Sequence, residues 1–363
     1  MMIIDNFSNC DNGCSTVINQ GIVPMLQNCV YDTQEEALNA PVGKVELVRS
    51  ELSGFIFNKP FDEGSIIYNE NYQNEQANSL FFQEHLDSVL DFLISKGIKD
   101  KKVIEVGCGK GYFLQKMIDK GIDCKGFDPT FEGESEYVIK DFFTEKYSDI
   151  NADVIVLRHT LEHIPNPFSF LHQIAKANNY KGYIYIEVPT FDWITEKKAF
   201  WDVFYEHCNY FTKATLGLIF ENAEVEHCFG GQYLSCWADL SKIKFSIPPQ
   251  TLPNIGLSNI FQKETERYFS LVKQYSQNLV IWGAGAKGST FLNILDSNKE
   301  HIKYVIDINP KKQNKFIART AHPIYSPEIL SIQRSENILV MNENYLDEIK
   351  QIVNDKSINI FSL

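Results

Sequence analysis

The pattern of apolar and polar positions predicts alternating strands and helices between residues 98 and 188. Short apolar runs there alternate with amphipathic stretches such as 111–119, where Phe113, Leu114 and Met117 share one helical face. This alternation is typical of a doubly wound parallel sheet. The predicted strands are 103–106, 124–127, 153–157 and 183–188, and the predicted helices are 111–119 and 167–177. The central part of the chain is therefore predicted to be an α/β domain.

The pattern differs on both sides of this region. Residues 1–74 are polar and show little periodicity, so we expect an irregular N-terminal region, followed by a helix whose apolar stripe runs from Phe82 to Leu93. Glycines and a strand at 230–238 suggest an antiparallel edge of the central sheet. Pro248, Pro253 and Gly256 mark a linker.

The segment after this linker predicts a second, smaller domain. It contains a helix at 259–274, strands at 304–307, 338–341 and 358–361, and a helix at 344–353. We therefore predict three parts, namely 1–74, 75–245 and a Rossmann-like 246–363. A chain of 363 residues is long enough for more than one core.

Composition excludes several classes of partner. The net charge of −13 argues against nucleic acid, and no apolar run reaches the ~18 residues of a membrane span. The N-terminus lacks the basic and apolar segments of a signal peptide. Eight cysteines without regular spacing suggest reduced thiols. We expect a cytoplasmic protein that acts on a small molecule, and the oligomeric state stays open.

A glycine loop after the first predicted strand is the main candidate for a ligand site. Gly107, Gly109 and Gly111 lie between that strand and the next helix, where backbone N–H groups are unpaired. Glu105 precedes the loop, and its carboxylate suits a cationic amino group better than a pyrophosphate. Asp128 ends the second strand, about twenty residues on, where a carboxylate binds ribose hydroxyls.

This combination resembles motifs I and II of class I S-adenosylmethionine (SAM) methyltransferases. The resemblance implies SAM as the cofactor, with an Asp-aromatic pair at 141–142 on the adenine and the segment 158–159 near the methionine end. Tyr72 and Gln76, before the first helix, either close over the cofactor or only pack. The predicted cofactor-binding residues are Glu105, Gly107, Cys108, Gly109, Gly111, Tyr112, Asp128, Pro129, Asp141, Phe142, Arg158, His159, Tyr72 and Gln76.

Two patterns suggest zinc, and neither is complete. His159, Glu162 and His163 match the H-x-x-E-H pattern of inverted zinc peptidases, but Pro165 ends any helix within a turn. The segment instead resembles the methyltransferase signature that lines the methionine end. Near the N-terminus, Cys10, Cys14 and Cys29 lack a fourth ligand, because Ser50 and Ser53 stand where a second cysteine pair would be. We predict no metal.

An aromatic-rich stretch follows the last strand of the central region. Residues 189–211 contain Glu206 and His207 between Tyr205 and Tyr210. This composition fits either a hydrophobic cluster with a capped histidine or a water-excluding catalytic pocket. A second glycine loop, 283–288, matches the dinucleotide pattern G-x-G-x-x-G and is followed by Asp307. It either holds a substrate's phosphate or only packs a helix against a strand.

Taken together, the three parts resemble the sugar C-methyltransferase family, in which a zinc-binding region precedes a SAM domain and a Rossmann-like domain. The most specific similarities are Glu-His with Tyr-Phe at 206–211 and the loop at 283–288. The resemblance implies methylation of a carbon next to the ketone of a nucleotide-linked deoxysugar. His207 would be the base, Glu206 its orienting partner, and Tyr210 or Tyr205 a donor to the enolate oxygen.

Two departures from the family leave the substrate open. The zinc cysteines are incomplete, and Phe204 stands where the family has a tyrosine. An O- or N-methyltransferase acting on a sugar or another small metabolite is one alternative. A regulatory protein that binds SAM without turnover is another, although it would have less reason to keep Glu206 and His207.

Overall fold

A computed structural model describes residues 7–8, 10, 13–67, 71–251, 258–333 and 335–363, without the side chains of 258–260. The expectations for the extreme N-terminus and for a linker at Pro253 and Gly256 lie outside these residues. Within them, no helix is long and apolar enough to cross a membrane.

The N-terminal region is a sheet, so the expectation of an irregular segment is wrong. Strands Cys14–Pro24, Val42–Ser50 and Ile56–Asn58 pair antiparallel, and Asn209–Tyr210 from the aromatic stretch adds a fourth strand. Val45 and Leu47 alternate with more exposed residues and are fully buried. This period-2 pattern was present in the sequence, but polar neighbours obscured it.

The central sheet confirms the predicted doubly wound α/β fold. Its seven strands, in spatial order, are Glu224–Cys228, Tyr233–Asp239, Tyr183–Pro189, Val154–Arg158, Lys102–Val106, Asp123–Phe127 and Val138–Ile139. All neighbouring pairs are parallel except those made by Tyr233–Asp239. That strand was predicted as the edge, but Glu224–Cys228 takes the edge position.

Helices cover both faces of this sheet, and this explains the continuous apolar strands. Val103 packs on one face and Ile104 on the other, and both are fully buried. The helices of the N-terminal and central parts are Gln34–Leu38, Leu80–Ser95, Tyr112–Asp119, Pro167–Ala177, Phe191–Lys197 and Lys213–Gly217. The sequence predicted the second, third and fourth of these to within a few residues.

The C-terminal part has a five-stranded parallel sheet, as predicted for a Rossmann-like unit. The strands, in spatial order, are Ile324–Tyr325, Ile302–Ile306, Leu279–Trp282, Asn337–Val340 and Asn359–Ser362, and the helices are Ser258–Gln274, Ala286–Leu295 and Leu346–Val353. A further pair, Val30–Tyr31 with Phe316–Ile317, connects this part to the N-terminal region.

The central and C-terminal sheets face one cleft with the carboxyl ends of their strands. Pro189 ends a central strand and Trp282 ends a C-terminal strand, and both line the cleft. The start of helix Leu80–Ser95 also joins the two parts, since Ser79 caps this helix and donates a hydrogen bond to Glu348 at 2.6 Å. In parallel sheets ligands bind beyond these strand ends, so the fold places the site here.

Candidate active site

The first glycine loop has the backbone conformation that the sequence predicted. Gly107, Gly109 and Gly111 have φ values of 74°, 53° and 76°, in the left-handed region that favours glycine. The Gly109 N–H donates to Asp128 Oδ2 at 2.8 Å, so the carboxylate at the end of the second strand holds the loop. A Cβ at Gly109 would meet nothing within 4 Å, which leaves the backbone open to a ligand.

Glu105 places a buried carboxyl beside the loop. The side chain is buried at 3% exposure, and among the described residues its Oε2 has no hydrogen-bond partner. Burial raises the pKa of Glu105 to about 8, against the lowering effect of the Arg158 guanidinium. An unsatisfied buried carboxyl is costly unless a ligand completes it. The loop therefore fits a cofactor with a cationic amino group, as SAM has.

The residues predicted for the adenine lie at the next strand end. Phe142 is 64% exposed, so its ring is available for stacking. Asp141 accepts a hydrogen bond from the Tyr147 hydroxyl at 2.7 Å and pairs with Lys146. These hydrogen bonds, chiefly that of Lys146, lower the pKa of Asp141 to about 2. The carboxylate is ionised and held, but it is not buried.

Three other predicted cofactor residues lie in the core or at the surface near the loop. The Cys108 thiol points into the core, because a Cβ on Gly126 would come within 2.6 Å of its sulfur. Burial raises the pKa of this thiol, which keeps it protonated. Tyr112 is 40% exposed at the first turn of its helix, and Pro129 is exposed after Asp128.

Arg158 and His159 belong to a buried charge network centred on Glu187, which the sequence did not reveal. Arg158 Nη2 donates to Glu187 Oε1 at 2.6 Å, and His159 Nε2 lies 2.9 Å from the same oxygen. His85 Nε2 and the Tyr185 hydroxyl both lie 3.1 Å from Oε2. Glu187 is fully buried, and Arg158 and His159 hold its pKa well below the usual range against the effect of burial. The network fixes the segment 158–159 beneath the cofactor loop.

A cleft of about 290 Å³ lies between the central and C-terminal sheets and collects several predicted residues. Tyr72, Gln76, His159 and His207 all line it, whereas Glu105 and Asp128 do not. The cofactor loop adjoins the cleft through the segment 158–163, because a Cβ on Gly107 would come within 2.3 Å of Thr160 Oγ1. The two predicted halves of the site are thus neighbours.

His207 lies in the cleft beside a second histidine. Its ring is 4.9 Å from that of His163 and 4.9 Å from that of Phe204, both in edge-to-face geometry. Burial and the neighbouring His163 lower the pKa of His207 to about 3, partly opposed by Glu162. The imidazole is therefore neutral at physiological pH, and a pKa this low makes it a weak base in the absence of a ligand.

The backbone orients His163, the second histidine. His163 Nδ1 lies 2.9 Å from the Glu206 carbonyl oxygen. A carbonyl only accepts, so Nδ1 carries a hydrogen. Sequence reasoning placed this residue in the 159–163 segment but gave it no separate role, because its approach to His207 is a tertiary contact.

Glu206, predicted as the orienting partner of His207, is hydrogen-bonded to other residues. Its carboxylate accepts from the Gln27 N–H at 3.3 Å and from the Tyr72 hydroxyl at 2.5 Å. Burial raises the pKa of this carboxyl. Tyr72, which the sequence suggested only as a cofactor lid, is thus the phenol that Glu206 positions at the cleft.

Tyr205 and Tyr210, predicted as donors to substrate, are not among the residues that line the cleft. The Tyr210 hydroxyl donates to the Phe204 carbonyl at 3.0 Å and accepts from the Phe204 N–H at 2.8 Å. The Tyr205 hydroxyl accepts from the Asp62 N–H at 3.1 Å. Its ring occupies the space above Gly43, where a Cβ would come within 2.3 Å. Both tyrosines hold the N-terminal sheet and the aromatic stretch in place.

Tyr233 is a cleft residue that sequence reasoning missed. Its ring lies 4.6 Å from that of His159, and its hydroxyl lies 3.5 Å from Gln76 Oε1. Gln76 also accepts from Tyr345 at 3.1 Å, which ties the segment before the first long helix to the C-terminal part. The glycine turn before Tyr233 was the only sequence signal, and it indicates a turn but no contact.

Metal-ligating side chains occur as two groups in the described part of the chain. One consists of His85, Glu187 and Cys228, whose ligand atoms are mutually within 4.8 Å, but burial raises the pKa of that thiol and keeps it protonated. The other consists of Glu162, His163 and His207 in the cleft. Its two imidazoles and one carboxylate suit zinc chemically, and the same three groups suit a proton-transfer site.

The N-terminal cysteines form neither of these groups. Cys10 and Cys14 are joined in a disulfide, which contradicts the expectation that all cysteines are reduced. Cys29 is buried elsewhere, and burial raises its pKa to about 12. Ser53 donates to the Phe7 carbonyl at 2.7 Å and Ser50 is buried beside it, so hydrogen bonds stabilise this turn.

Comparison with known proteins identifies two domain families in the chain. Residues 77–226 match the family described as a methyltransferase domain, and residues 259–357 match the C-methyltransferase C-terminal domain. The C-methyltransferase NovU of Streptomyces niveus is 22% identical over 305 residues, 73% of this chain and 72% of that protein.

Other relatives align over about a quarter of the chain. The tRNA U34 carboxymethyltransferase of Aliarcobacter butzleri is 30% identical over 112 residues, which are 26% of this chain and 36% of that protein. The ubiquinone biosynthesis O-methyltransferase of Photobacterium profundum is 27% identical over 105 residues, which are 24% of this chain and 44% of that protein. A solved SAM-dependent methyltransferase from Archaeoglobus fulgidus has a TM-score of 0.34 and 19% identity over 44% of this chain and 99% of its own.

The protein is a SAM-dependent methyltransferase. The two matched domains carry this statement, together with the class I order of the central sheet. Its C-terminal part has the domain found in C-methyltransferases.

Proposed function

We propose that this enzyme methylates a carbon atom next to the ketone of a nucleotide-linked keto-deoxysugar, with His207 as the base. The observation that carries the proposal is the position of His207 in a cleft that adjoins the first glycine loop and is bordered by the C-terminal sheet. A hydrogen next to a ketone must leave as a proton before the carbon becomes nucleophilic, so a base in the cleft is needed for this step.

SAM bound at the first glycine loop would supply a methyl group activated by its sulfonium. Glu105 would bind the amino group, and Asp128 would bind the ribose hydroxyls. His207 would take the α-proton of the sugar, and the Glu162 carboxylate would stabilise the imidazolium that forms. For the Tyr72 hydroxyl to donate to the developing enolate oxygen in place of Tyr205 and Tyr210, its hydrogen would have to turn from Glu206 to the substrate.

The choice of a carbon acceptor rests on domain content. The match to the C-methyltransferase C-terminal domain and the 22% likeness to NovU support it. The O-methyltransferase relatives align with only about a quarter of the chain. They therefore support the cofactor and say nothing about the acceptor atom.

Methyl transfer from SAM to a panel of nucleotide-linked keto-deoxysugars tests the proposal, with S-adenosylhomocysteine and the methylated sugar both quantified. We expect His207→Gln to lower kcat by about 100-fold or more, the usual contribution of a positioned base. His227→Gln is a matched control, because this exposed histidine lies on the edge strand Glu224–Cys228. SAM affinity should be unchanged in both variants.

The wild-type enzyme should also exchange the α-hydrogen of the sugar with deuterium from solvent, and His207→Gln should not. Full turnover by His207→Gln would refute the base assignment, and a methyl group found on oxygen or nitrogen would refute carbon methylation. Loss of wild-type activity after chelation, restored by zinc, would assign Glu162, His163 and His207 to a metal and remove His207 as the base.

A further inference from the structure

The second glycine loop has features of an anion site that its sequence pattern alone does not establish. It connects strand Leu279–Trp282 to helix Ala286–Leu295, so the N–H groups of a ten-residue helix point toward the cleft. Gly288 is needed for packing, since a Cβ there would come within 2.0 Å of the Gly283 carbonyl oxygen. Gly285 is different, because its Cβ would meet only Asn28 Oδ1 at 3.5 Å and Lys312 Nζ at 3.7 Å.

Two buried donors at this loop lack the acceptors that they need. Asn309 is 4% exposed, and within the described ranges its Nδ2 has no hydrogen-bond partner. Lys312 is 5% exposed, and the single hydrogen bond of its ammonium among those residues goes to the Ala284 carbonyl at 3.2 Å. Both side chains line the cleft. Buried donors are normally satisfied, so an acceptor from a ligand is missing here.

The nearby acid does not supply that acceptor. Asp307 Oδ2 accepts from the Ala284 N–H at 2.7 Å and Oδ1 accepts from the Asn309 N–H at 2.8 Å. Its oxygens therefore hold the backbone of the loop. Lys287, in the loop itself, is paired with Asp202 at 2.8 Å. Lys312 is thus the cation at this loop without an ion pair to a carboxylate among the described residues.

The loop and the proposed base share one cleft. Gly285, Lys312 and His207 all line it, so a single elongated ligand can contact the loop with one end and His207 with the other. A phosphate at the loop would satisfy Asn309 Nδ2 and the Lys312 ammonium with charge-assisted hydrogen bonds.

We propose that the loop 283–288, with Asn309 and Lys312, binds the phosphate groups of the substrate's nucleoside diphosphate. This proposal rests on the proposed function in one respect, because it takes the methyl acceptor to be the molecule that carries the phosphates. The anion site itself follows from the loop, its buried donors and the shared cleft.

Titration calorimetry without SAM tests this site separately from methyl transfer. The probes are ADP, UDP, dTDP, inorganic diphosphate, the matching phosphate-free nucleosides, and NAD. We expect at least one nucleoside diphosphate to bind, and its nucleoside to bind at least tenfold more weakly. Lys312→Met should weaken the diphosphate by about 10- to 100-fold, the usual loss of one hydrogen bond to a charged group. Lys311→Met is the matched control, because the adjacent Lys311 is exposed.

Gly285→Ala keeps the test decisive if Lys312→Met fails to fold. The added methyl group makes only ordinary contacts in the protein, yet it would stand between the loop and a phosphate. We expect a normal unfolding temperature and at least tenfold weaker diphosphate binding. Equal binding of nucleoside and nucleoside diphosphate, or unchanged binding in both variants, would overturn the proposal, as would binding of NAD alone.

These results are distinguishable from failure of the proposed function. Diphosphate binding that depends on Lys312, in an enzyme that methylates no sugar, would leave the anion site standing and reject the acceptor. Sugar methylation with no dependence on Lys312 or Gly285 would support the acceptor and reject the anion site.

Discussion

The two glycine loops of this protein have the same construction and different chemistry. Each follows the first strand of a parallel sheet, and each is held by an acid at the end of the next strand. Asp128 accepts from the Gly109 N–H at 2.8 Å, and Asp307 accepts from the Ala284 N–H at 2.7 Å. The glycine pattern and its acid therefore indicate a loop, not a ligand.

The buried charge beside each loop separates them. The first loop has Glu105, a carboxyl with one oxygen unsatisfied, and the second has Lys312, an ammonium bonded only to a carbonyl within the described part of the chain. We propose that a cation completes the first site and an anion the second. We therefore expect the charge of the ligand at each glycine loop to be set by the buried side chain next to it.

The largest expected effect comes from exchanging that charge for an apolar group. Glu105→Leu should weaken SAM binding by about 100-fold, because a buried ammonium–carboxylate contact is lost. It should leave nucleoside diphosphate binding unchanged, and Lys312→Met should do the reverse. Titration calorimetry of both ligands on both variants measures this. A parallel loss of both affinities in either variant would mean that the loops are not independent sites.

The two glycines of the second loop should differ in their effect on stability. Gly288→Ala should cost about 2 kcal/mol or more, since its methyl group overlaps the Gly283 carbonyl oxygen. Gly285→Ala should change stability by about 0.5 kcal/mol or less. Hydrogen exchange of peptides covering 279–306 measures the local free energy of opening. Equal destabilisation by both substitutions would show that Gly285 is also a packing residue.

The protonation of Glu105 should make SAM binding depend on pH. Its pKa is raised to about 8, so the carboxyl is mostly protonated at pH 6.5, whereas the ligand's ammonium needs the carboxylate. Binding at pH 6.5 should therefore release close to one proton, and affinity should rise about tenfold between pH 6.5 and 8. Calorimetry in two buffers of different ionisation enthalpy measures the proton. Glu105→Gln is the control, and proton release by this variant would assign the effect to another group.

The smallest effect should come from the acid of the second loop. Asp307→Asn keeps the shape of the side chain but weakens its hydrogen bonds to the backbone, which should cost about 1 kcal/mol. Thermal unfolding of the full chain measures the change. If Asp307→Asn instead abolished diphosphate binding with no loss of stability, the acid would contact the ligand, and its likeness to Asp128 would extend beyond holding the loop.

Local periodicity accounts for what could be predicted of the fold. Val103 and Ile104 pack on opposite faces of the central sheet, so both had to be apolar, and the continuous run was visible in the sequence. The N-terminal strands were missed because one face is partly exposed and Lys44, Glu46 and Arg49 interrupt the apolar pattern. Their sheet is completed by Asn209–Tyr210, far away in the chain.

Side-chain direction accounts for what could not be predicted of the site. Tyr205, Glu206, His207 and Tyr210 are close in sequence, yet among them His207 alone lines the cleft. Successive side chains of an irregular segment point to different neighbours. Here Tyr205 bonds to Asp62, Glu206 to Tyr72, and Tyr210 to the Phe204 backbone. Their closeness in sequence could indicate the group, but it could not show which member lines the cleft.

By itself, the sequence determined the α/β class, the two loops and the cofactor, because strand periodicity, glycine spacing and the carboxyl of Glu105 are local properties. The tertiary structure decided the rest. It placed the His163 ring beside the His207 ring and paired Glu206 with the Tyr72 hydroxyl. It also brought Lys312 close to Gly285 at a cleft between two sheets. Such contacts join residues distant along the chain, and only packing of the whole fold determines which of them meet.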